Sequence, residues 1–338
     1  MAVQSGIGGA RRFVTGGGQA PLPASPQGQA ELLRHCAFPP AGTAVTCAVS
    51  GGADSLALLL LAVAARCQVT AVHVDHGLRA GSAAEADVVA AVAADVGAAF
   101  RAAKAPVPPG PNLEARARAA RYRVLPPDVL TGHTADDQAE TVLLNLIRGA
   151  GLDGLAAMAS PATVGPRRPD TAFTVGGLRP PTAPRNPSTH PILGLRRAQT
   201  HALVAAARLV PVNDPSNADP AHRRNRVRAE LMPLLDSIAQ RDVAAVLARQ
   251  AALLGEEAAF LDGLSASIDP TDAKALAAAP VVLARRTVRM WLTADQDHPP
   301  SANAVERVLR VARGEWRATQ TDDGRRVSRH QGRLRLGE

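Results

Sequence analysis

Two stretches of this chain hold residue types that together could do chemistry on a phosphorylated ligand. The first, Ser50-Gly51-Gly52-Ala53-Asp54-Ser55, follows an apolar run at 44–49 and leads into Leu56-Ala57-Leu58-Leu59-Leu60-Leu61. That order predicts a buried strand, a tight glycine turn and the opening of a helix. Two adjacent glycines let the backbone approach a ligand with no Cβ in the way. The N–H groups of the turn and the helix start then point at one spot, which suits an anion such as a phosphate. An ordinary strand-to-helix turn with Ser as N-cap would use the same residues, but the whole S-G-G-x-D-S string after a strand is more specific than a bare Gly-Gly.

The second stretch is Gly132-His133-Thr134-Ala135-Asp136-Asp137-Gln138-Ala139-Glu140-Thr141. Asp136 and Glu140 are four apart and Asp137 and Glu140 three apart, so they share a helix face. Three carboxylates in one turn beside an anion site are electrostatically costly, and a metal or an ammonium group would offset that cost. Acids placed to suit the dipole of a helix N-terminus are the plainer explanation. Asp54, next to the glycine turn, would be repelled by phosphate unless a cation intervened, so its expected role is to hold Mg²⁺ that bridges to phosphate oxygens. His133 is a candidate general base, a phosphate-orienting group or a structural histidine. Arg118 and Arg121 lie three apart on a basic helix and could reach phosphates of a nucleotide or of RNA. Arg223, Arg224, Arg226 and Arg228 flank Asn225 and could grip an RNA backbone, or form a solvated face.

The elements that must position these groups alternate. Strands are expected at 43–49, 69–74, 98–103 and 129–131, with helices at 28–36, 55–66, 82–96, 113–125 and 135–148. Ser82 with Glu85 reads as a capping box, and Asn112 as the cap of the basic helix. Such alternation predicts an α/β fold with a parallel sheet covered on both faces, whose ligands bind outside the carboxyl ends of the strands. The turn at 50–55, the segment His73-Val74-Asp75-His76-Gly77-Leu78-Arg79 and the acidic stretch all fall at such ends and should converge. Residues 160–190 are Pro- and Arg-rich and read as an excursion or hairpin with its best strand at 171–175. A helix at 196–209 follows. Beyond Asp214-Pro215-Ser216-Asn217 the pattern is helical at 222–239, 242–266, 280–294 and 301–313, and closes with β-like segments at 316–320 and 325–336. The expected organisation is a disordered extension at 1–28, a catalytic domain at 29–220 and a smaller, mainly helical domain at 221–338.

The 338 residues suffice for two domains. The net charge of +8 is carried almost wholly by Arg, since Lys occurs only at 104 and 274, and a basic surplus suits a polyanionic partner. A coding bias explains the choice of Arg over Lys but not the surplus. The three cysteines, Cys36, Cys47 and Cys67, are odd in number and form no C-x-x-C pair. Neither a disulfide framework nor a zinc or iron–sulfur site is indicated. No apolar run reaches bilayer-spanning length, and the N-terminus lacks the apolar region of a signal peptide. A cytoplasmic location is expected.

The glycine turn is neither a G-x-x-x-x-G-K-S/T loop, there being no Lys near it, nor a G-x-G-x-x-G fingerprint. S-G-G-x-D-S resembles the PP-loop of the N-type ATP pyrophosphatases, which split ATP between its α- and β-phosphates and adenylate a substrate. Further strings are similar to those of the tRNA(Ile)-lysidine synthetases within that superfamily. They are His73 through Arg79, Glu114 with Ala117-Arg118 and Arg121-Tyr122, Gly132 through Thr141, Arg148-Gly149 with Gly154-Leu155, Asp214 through Asn217, and Arg224-Asn225-Arg226-Val227-Arg228 with Pro233. The likeness runs through residues 43–235, and the remainder resembles that family's first C-terminal domain. Two departures stand out. His190-Pro191-Ile192-Leu193 occupies the place of the family's usual Arg-Pro-Leu-Leu, so an arginine contact is lost or moved to Arg196 or Arg197. The second C-terminal domain of longer members is expected to be absent.

The resemblance implies a ligase that uses ATP and Mg²⁺ to join free lysine to the wobble cytidine of a CAU-anticodon tRNA(Ile). It implies nucleotide-binding roles for Ser50, Gly51, Gly52, Ala53, Asp54, Ser55, His73 and Arg118. Catalytic roles fall to Asp54, His133, Asp136, Asp137 and Glu140, with Mg²⁺ on Asp54 and Asp137. Lysine or tRNA would be met by Glu140, Arg121, Arg224, Asn225 and Arg228. A homodimer is compatible with this reading. A tRNA thiolase of the same superfamily would need reactive or cluster-binding cysteines, and a non-catalytic RNA-binding module would leave the phosphate turn and its carboxylates unexplained.

Overall fold

The computed structural model describes residues 26–77, 82–107, 110, 113–158, 190–212, 219–294 and 299–337. The expected extension up to residue 25, Leu78-Arg79, the Asn112 cap, the hairpin at 160–189 and Asp214 through Asn217 lie outside the described residues. After a short helix α1 (Pro26–Leu33) come β1 (Ala44–Ala48), α2 (Ala53–Ala64), β2 (Gln68–Asp75), α3 (Ser82–Asp95) and β3 (Ala99–Lys104). Next are α4 (Leu113–Val124), α5 (Ala135–Ile147), α6 (Leu152–Leu155) and α7 (Arg197–Ala206).

The three strands form one parallel sheet in the order β1-β2-β3, with Ala44 opposite Gln68 and Thr70 opposite Ala99. The strand expected at 129–131 shrinks to a single parallel bridge between Leu130 and Cys47. It is anchored by Leu130 N–H to the Thr46 carbonyl at 2.8 Å and Ala48 N–H to the Leu130 carbonyl at 2.9 Å. Val129 N–H turns back to the Pro126 carbonyl at 3.2 Å, so the chain enters the bridge from a turn rather than from extended backbone. The chain thus runs outward from β1 through β2 and β3, then returns to the other side of β1. That reversal makes the end of β1 a topological switch point, where open α/β sheets bind ligands.

The core explains the element types. α2 is apolar on nearly every face, and its residues from Ser55 to Ala62 are buried, as expected of a helix in the middle of a fold rather than on its surface. It packs with Leu32, Cys47, Val49, Val69, Ala71, Val89, Ile192, Leu195 and Leu203 into the main apolar cluster.

Beyond residue 219 the chain is helical, with α8 (Arg223–Arg226), a π-helical turn Val227–Leu231, α9 (Met232–Ala239), α10 (Val243–Ser265), α11 (Ala273–Ala278), α12 (Val281–Thr293) and α13 (Ala302–Arg313). Strands β4 (Ala318–Gln320), β5 (Arg326–His330) and β6 (Arg333–Gly337) form an antiparallel sheet. Helix α11 was not expected from the sequence, although Asp272 caps it by accepting from Lys274 N–H at 2.9 Å and Ala275 N–H at 3.0 Å. The β-like segment at 325–336 is a hairpin, because Gln331 and Gly332 both take positive φ, 48° and 78°, the requirement of a tight two-residue turn. A second apolar cluster gathers Leu276, Val288, Leu292, Val305, Val308, Leu309, Val327 and Leu334. The long helix α10 packs against both α5 and α12, and Arg286 joins Asp262 at 2.6 Å to Asp153 at 2.5 Å.

Gly132 is where the two walls of the sheet end meet. A Cβ there would lie 2.7 Å from the Asp54 carbonyl oxygen and 3.1 Å from Ser55 Cα, both backbone atoms that cannot swing aside. Gly132→Ala should therefore cost about 1–3 kcal/mol of stability, read as a lower urea midpoint; an unchanged midpoint would show that the helix start yields freely.

Candidate active site

The turn after β1 is held open toward solvent by its own serines. Ser55 Oγ donates to the Gly52 carbonyl at 2.8 Å, accepts from Ser50 N–H at 3.2 Å and lies 3.2 Å from Ser50 Oγ. Gly51 sits at φ +89°, and its carbonyl accepts from Val212 N–H at 2.9 Å. The N-cap of α2 is Gly52 rather than a serine, and no side chain caps it. The first N–H groups of a helix have no intrahelical acceptor, so here they remain available to an anion.

A crevice of about 740 Å³ opens over this turn. It is lined by Ser50, Gly52, Ala53, Asp54 and Ser55, by Val72 and Val74 of β2, and by Arg121, Tyr122, His133, Asp137, Arg197 and Arg228. The convergence expected from the sequence therefore holds for the turn and the acidic stretch. His73 is placed differently. It is 3% exposed and does not line the crevice. Its Nδ1–H donates to the Val49 carbonyl at 3.0 Å, tying β2 to the residue before the turn. Arg118 stacks on Tyr122, with its guanidinium carbon 5.0 Å from the ring centre. Asn225 donates to the Asp219 carbonyl at 2.9 Å.

The acids of α5 are met by arginines from elsewhere in the chain. Asp136 takes Arg196 bidentately, Nε at 3.0 Å and Nη2 at 2.8 Å, together with Arg197 N–H at 2.7 Å. Asp137 reaches back to the helix start, where Oδ2 accepts from Thr134 N–H at 2.9 Å and Thr134 Oγ1 at 3.0 Å. Its Oδ1 accepts from Arg197 at 2.9 Å and Arg224 at 3.2 Å. Glu140 is 1% exposed and accepts from Arg197 at 3.1 Å, Arg224 at 2.7 Å and Arg228 at 2.7 Å. Arg197 also stands 3.5 Å from Asp54, whose other oxygen accepts from Thr200 Oγ1. The cost of clustering carboxylates is thus offset by four of the protein's own guanidiniums. Arg224 and Arg228, which the sequence suggested for RNA, face inward onto Glu140, whereas Arg226 pairs with Glu230 on the surface.

Titration follows from these contacts. Burial acts to raise Asp136 and Asp137, but hydrogen bonds and charge from Arg196, Arg197 and Arg224 outweigh it and hold both below the ordinary carboxylate range. For Asp54 burial wins, and with Asp137 nearby its carboxyl is raised despite Thr200 and Arg197. Burial, then the neighbouring His190, pushes His133 far below its usual value, so it is a neutral imidazole and a weak base at pH 7.

Arg197 was raised in the sequence only as one of two places to which an arginine contact could have moved, and Thr200, Thr131 and His190 were not proposed as site members. Arg196-Arg197 before a helix was the one visible signal, but its partners lie about sixty positions away in sequence. Gln138 and Asn145 of α5 have a supporting role. Gln138 donates to the Ala156 and Met158 carbonyls at 3.2 Å, and Asn145 to the Gly154 carbonyl at 2.7 Å.

Among the described residues no group of three or more His, Cys, Asp or Glu side chains is arranged to hold a metal ion. Mg²⁺ commonly takes only one or two carboxylates and completes its shell with phosphate oxygens and water. Asp54 fits that pattern, beside the anion turn. Asp137 fits it less well, since both its oxygens already accept hydrogen bonds.

Removing Arg197 leaves Asp54, Asp137 and Glu140 short of a counter-charge. Arg197→Ala should cost about 3 kcal/mol at pH 7, toward the low end for a broken buried pair because the side chain is partly exposed. Asp136 and Asp137 titrate below their unfolded values of about 3.9. Their contribution is therefore fully present above pH ~4 and is lost as the pH falls through their folded values. The stability gap between wild type and Arg197→Ala should narrow between pH 7 and pH 3; a constant gap in urea unfolding would contradict the pairing.

Residues 27–235 match the family model described as a PP-loop domain, and residues 272–335 that of the TilS substrate binding domain. The chain is 39% identical over 313 residues to the tRNA(Ile)-lysidine synthase of Nocardia farcinica, covering 84% of this chain and 89% of that one. It is 37% identical over 321 residues to the tRNA(Ile)-lysidine synthase of Thermobifida fusca, covering 87% and 92%. Among solved structures it is similar to the U34-tRNA thiolase NcsA from Methanococcus maripaludis with its 4Fe-4S cluster. That match has a TM-score of 0.51 and 16% identity, over 68% of this chain and 79% of that one, a likeness of fold alone. With a PP-loop crevice, a matching substrate-binding region and relatives aligned over most of their length, the chain belongs to the tRNA(Ile)-lysidine synthase family.

Proposed function

We propose that this protein converts the wobble cytidine of a CAU-anticodon tRNA(Ile) to lysidine. Cytosine O2 attacks the α-phosphorus of ATP, the bond to the bridging oxygen breaks and pyrophosphate leaves. The ε-amine of free lysine then attacks C2, the C2–O2 bond breaks, AMP departs with the oxygen and the amine sheds a proton. The observation that carries this reading is one crevice in which an uncapped helix start and glycine turn, built for phosphate, face the carboxylate Asp137.

Within that reading residues 50–55 cradle the pyrophosphate portion of ATP. Asp54 holds Mg²⁺, which when bound neutralises phosphate charge. Asp137 and Glu140 receive the lysine ammonium. Arg224 and Arg228 are the exchangeable partners of Glu140, because their side chains are 32% and 35% exposed against 20% for Arg197. His133, neutral and at the crevice wall, orients phosphate rather than removing a proton. Arg118, Arg121 and the basic surplus meet nucleotide and RNA phosphates. Residues 29–220 form the catalytic part and 221–338 the tRNA-contacting part, with Arg224 and Arg228 reaching back across the junction. Among the described residues no helix is long and apolar enough to cross a membrane, in keeping with work on tRNA in the cytoplasm.

The thiolase alternative has no support from the cysteines. Burial pushes the Cys36 and Cys47 thiols up to about 12, away from the thiolate form that reactive or cluster-binding cysteine needs.

Incubation with ATP, labelled lysine and total tRNA should place label on one nucleoside, with pyrophosphate released only when tRNA is present and AMP only when lysine and tRNA are both present. Asp54→Asn should abolish pyrophosphate release and leave tRNA binding intact; near-normal lysidine formation by that variant would refute the role. Glu140→Gln should raise the KM for lysine roughly tenfold or more, the scale of a lost hydrogen bond to a charge, and an unchanged lysine dependence would remove Glu140 from the amine site.

A further inference from the structure

The catalytic and C-terminal parts of this chain have separate apolar cores. Helix α10 packs on α5 and α6 of the first part and on α12 of the second. Its buried positions, Ala244, Ala251, Ala258 and Ser265, recur every seven residues and carry small side chains. Helix packing angles are set by side chains of one helix seated between those of another, and such short ones interlock weakly. Two parts of one chain stay free to move unless their interface is large and apolar. A more directional contact lies beside this seam. Arg286 of α12 is 8% exposed, yet its guanidinium is engaged at both ends. Nε donates to Asp262 of α10 at 2.6 Å and Nη2 to Asp153 of α6 at 2.5 Å. Arg289, one turn on, stands 3.5 Å from the other oxygen of Asp153.

Asp153 sits on a short helix that the acidic helix itself holds. Asn145 of α5 donates to the Gly154 carbonyl, and Gln138 of α5 to the Ala156 and Met158 carbonyls. Gln138 also accepts from Met158 N–H at 2.9 Å. Since Gln138 lies between Asp137 and Glu140, this run of contacts leads from α12 through Asp153 to the acidic turn. A planar guanidinium bonded to carboxylates on two elements is directional in a way that apolar packing is not. A buried charge that loses its partner is costly, so the arrangement resists rotation of α12 away from α6. We infer that Arg286 is a positioning residue, which locks the C-terminal part in the orientation that brings a tRNA held there to the crevice. The inference rests on the reading of 221–338 as the tRNA-contacting part. It also gives a role to the Arg148-Gly149 and Gly154-Leu155 strings, which do not line the crevice. They frame the short helix that presents Asp153.

Residual dipolar couplings of the full-length protein read the orientation independently of activity. In wild type, residues 29–220 and 272–335 should share one alignment tensor, and Arg286→Gln should give them separate ones. Two contacts held on one frame reinforce each other, and freeing the frame forfeits part of that gain. The variant should therefore raise the KM for tRNA roughly tenfold or more. Its kcat at saturating tRNA and its KM values for ATP and lysine should stay unchanged. Should Arg286→Gln fail to fold, Asp153→Asn breaks the same link at a half-exposed side chain and should give the same split. A merely structural Arg286 would lower kcat and move the ATP, lysine and tRNA parameters together. That outcome, a single tensor in the variants, or an unaltered KM for tRNA overturns the inference. Orientation lost in the variants while wild type forms no lysidine would instead refute the activity and leave the anchor standing.

Discussion

The carboxylates of α5 can occupy one buried helical turn only because guanidiniums from two distant parts of the chain meet them there. Arg196 and Arg197 come from the start of α7, and Arg224 and Arg228 from α8 and the π-helical turn after it. In a weakly polarisable interior, unpaired charges cost several kcal/mol each, so these elements have little freedom to part while the acids stay ionised. Arg197 is the hub, within 3.5 Å of Asp54 on α2 as well as Asp137 and Glu140 on α5. One side chain therefore sets the distance between the phosphate turn and the acidic wall. The same pairing makes Glu140 a structural counter-charge, so in the role proposed for it an incoming ammonium would compete with arginine.

The phosphate side of the crevice depends on sterics instead. The end of β1 is flanked by β2 on one side and the Leu130 bridge on the other, so backbone from three segments crowds one point. Gly132 admits the helix start to within contact distance, and Gly51 admits Val212. His73, buried behind the sheet end, fastens Val49, and Ser55 fastens Ser50 and Gly52. The turn is thereby fixed from beneath, and no side chain caps the helix start that follows it.

Local pattern carried much of this. The alternation of apolar runs with helical spacing sufficed for the parallel sheet, because strand and helix periodicity are written into neighbouring residues. The S-G-G-x-D-S turn and the acidic helix were legible for the same reason. The β5–β6 hairpin and α11 were not resolved in advance, although Gln331-Gly332 and Asp272 are local signals of turn and cap.

By itself, the sequence determined that a phosphate cradle and a cluster of acids lie at strand ends, since both follow from residue types at short spacing. Tertiary structure alone decided what balances those acids. Asp136 to Arg196 is a separation of sixty residues and Glu140 to Arg228 of eighty-eight. No periodicity spans such distances; only the packing of α7 on α2, and of α8 and the π-helical turn against α5, sets them. That is why Arg224 and Arg228 read as an outward basic run in the sequence yet face inward in the fold. It is also why His73, chosen for its place at a strand end, proves to be a buried tie: alternation along β2 gives the crevice to Val72 and Val74 and turns the imidazole away.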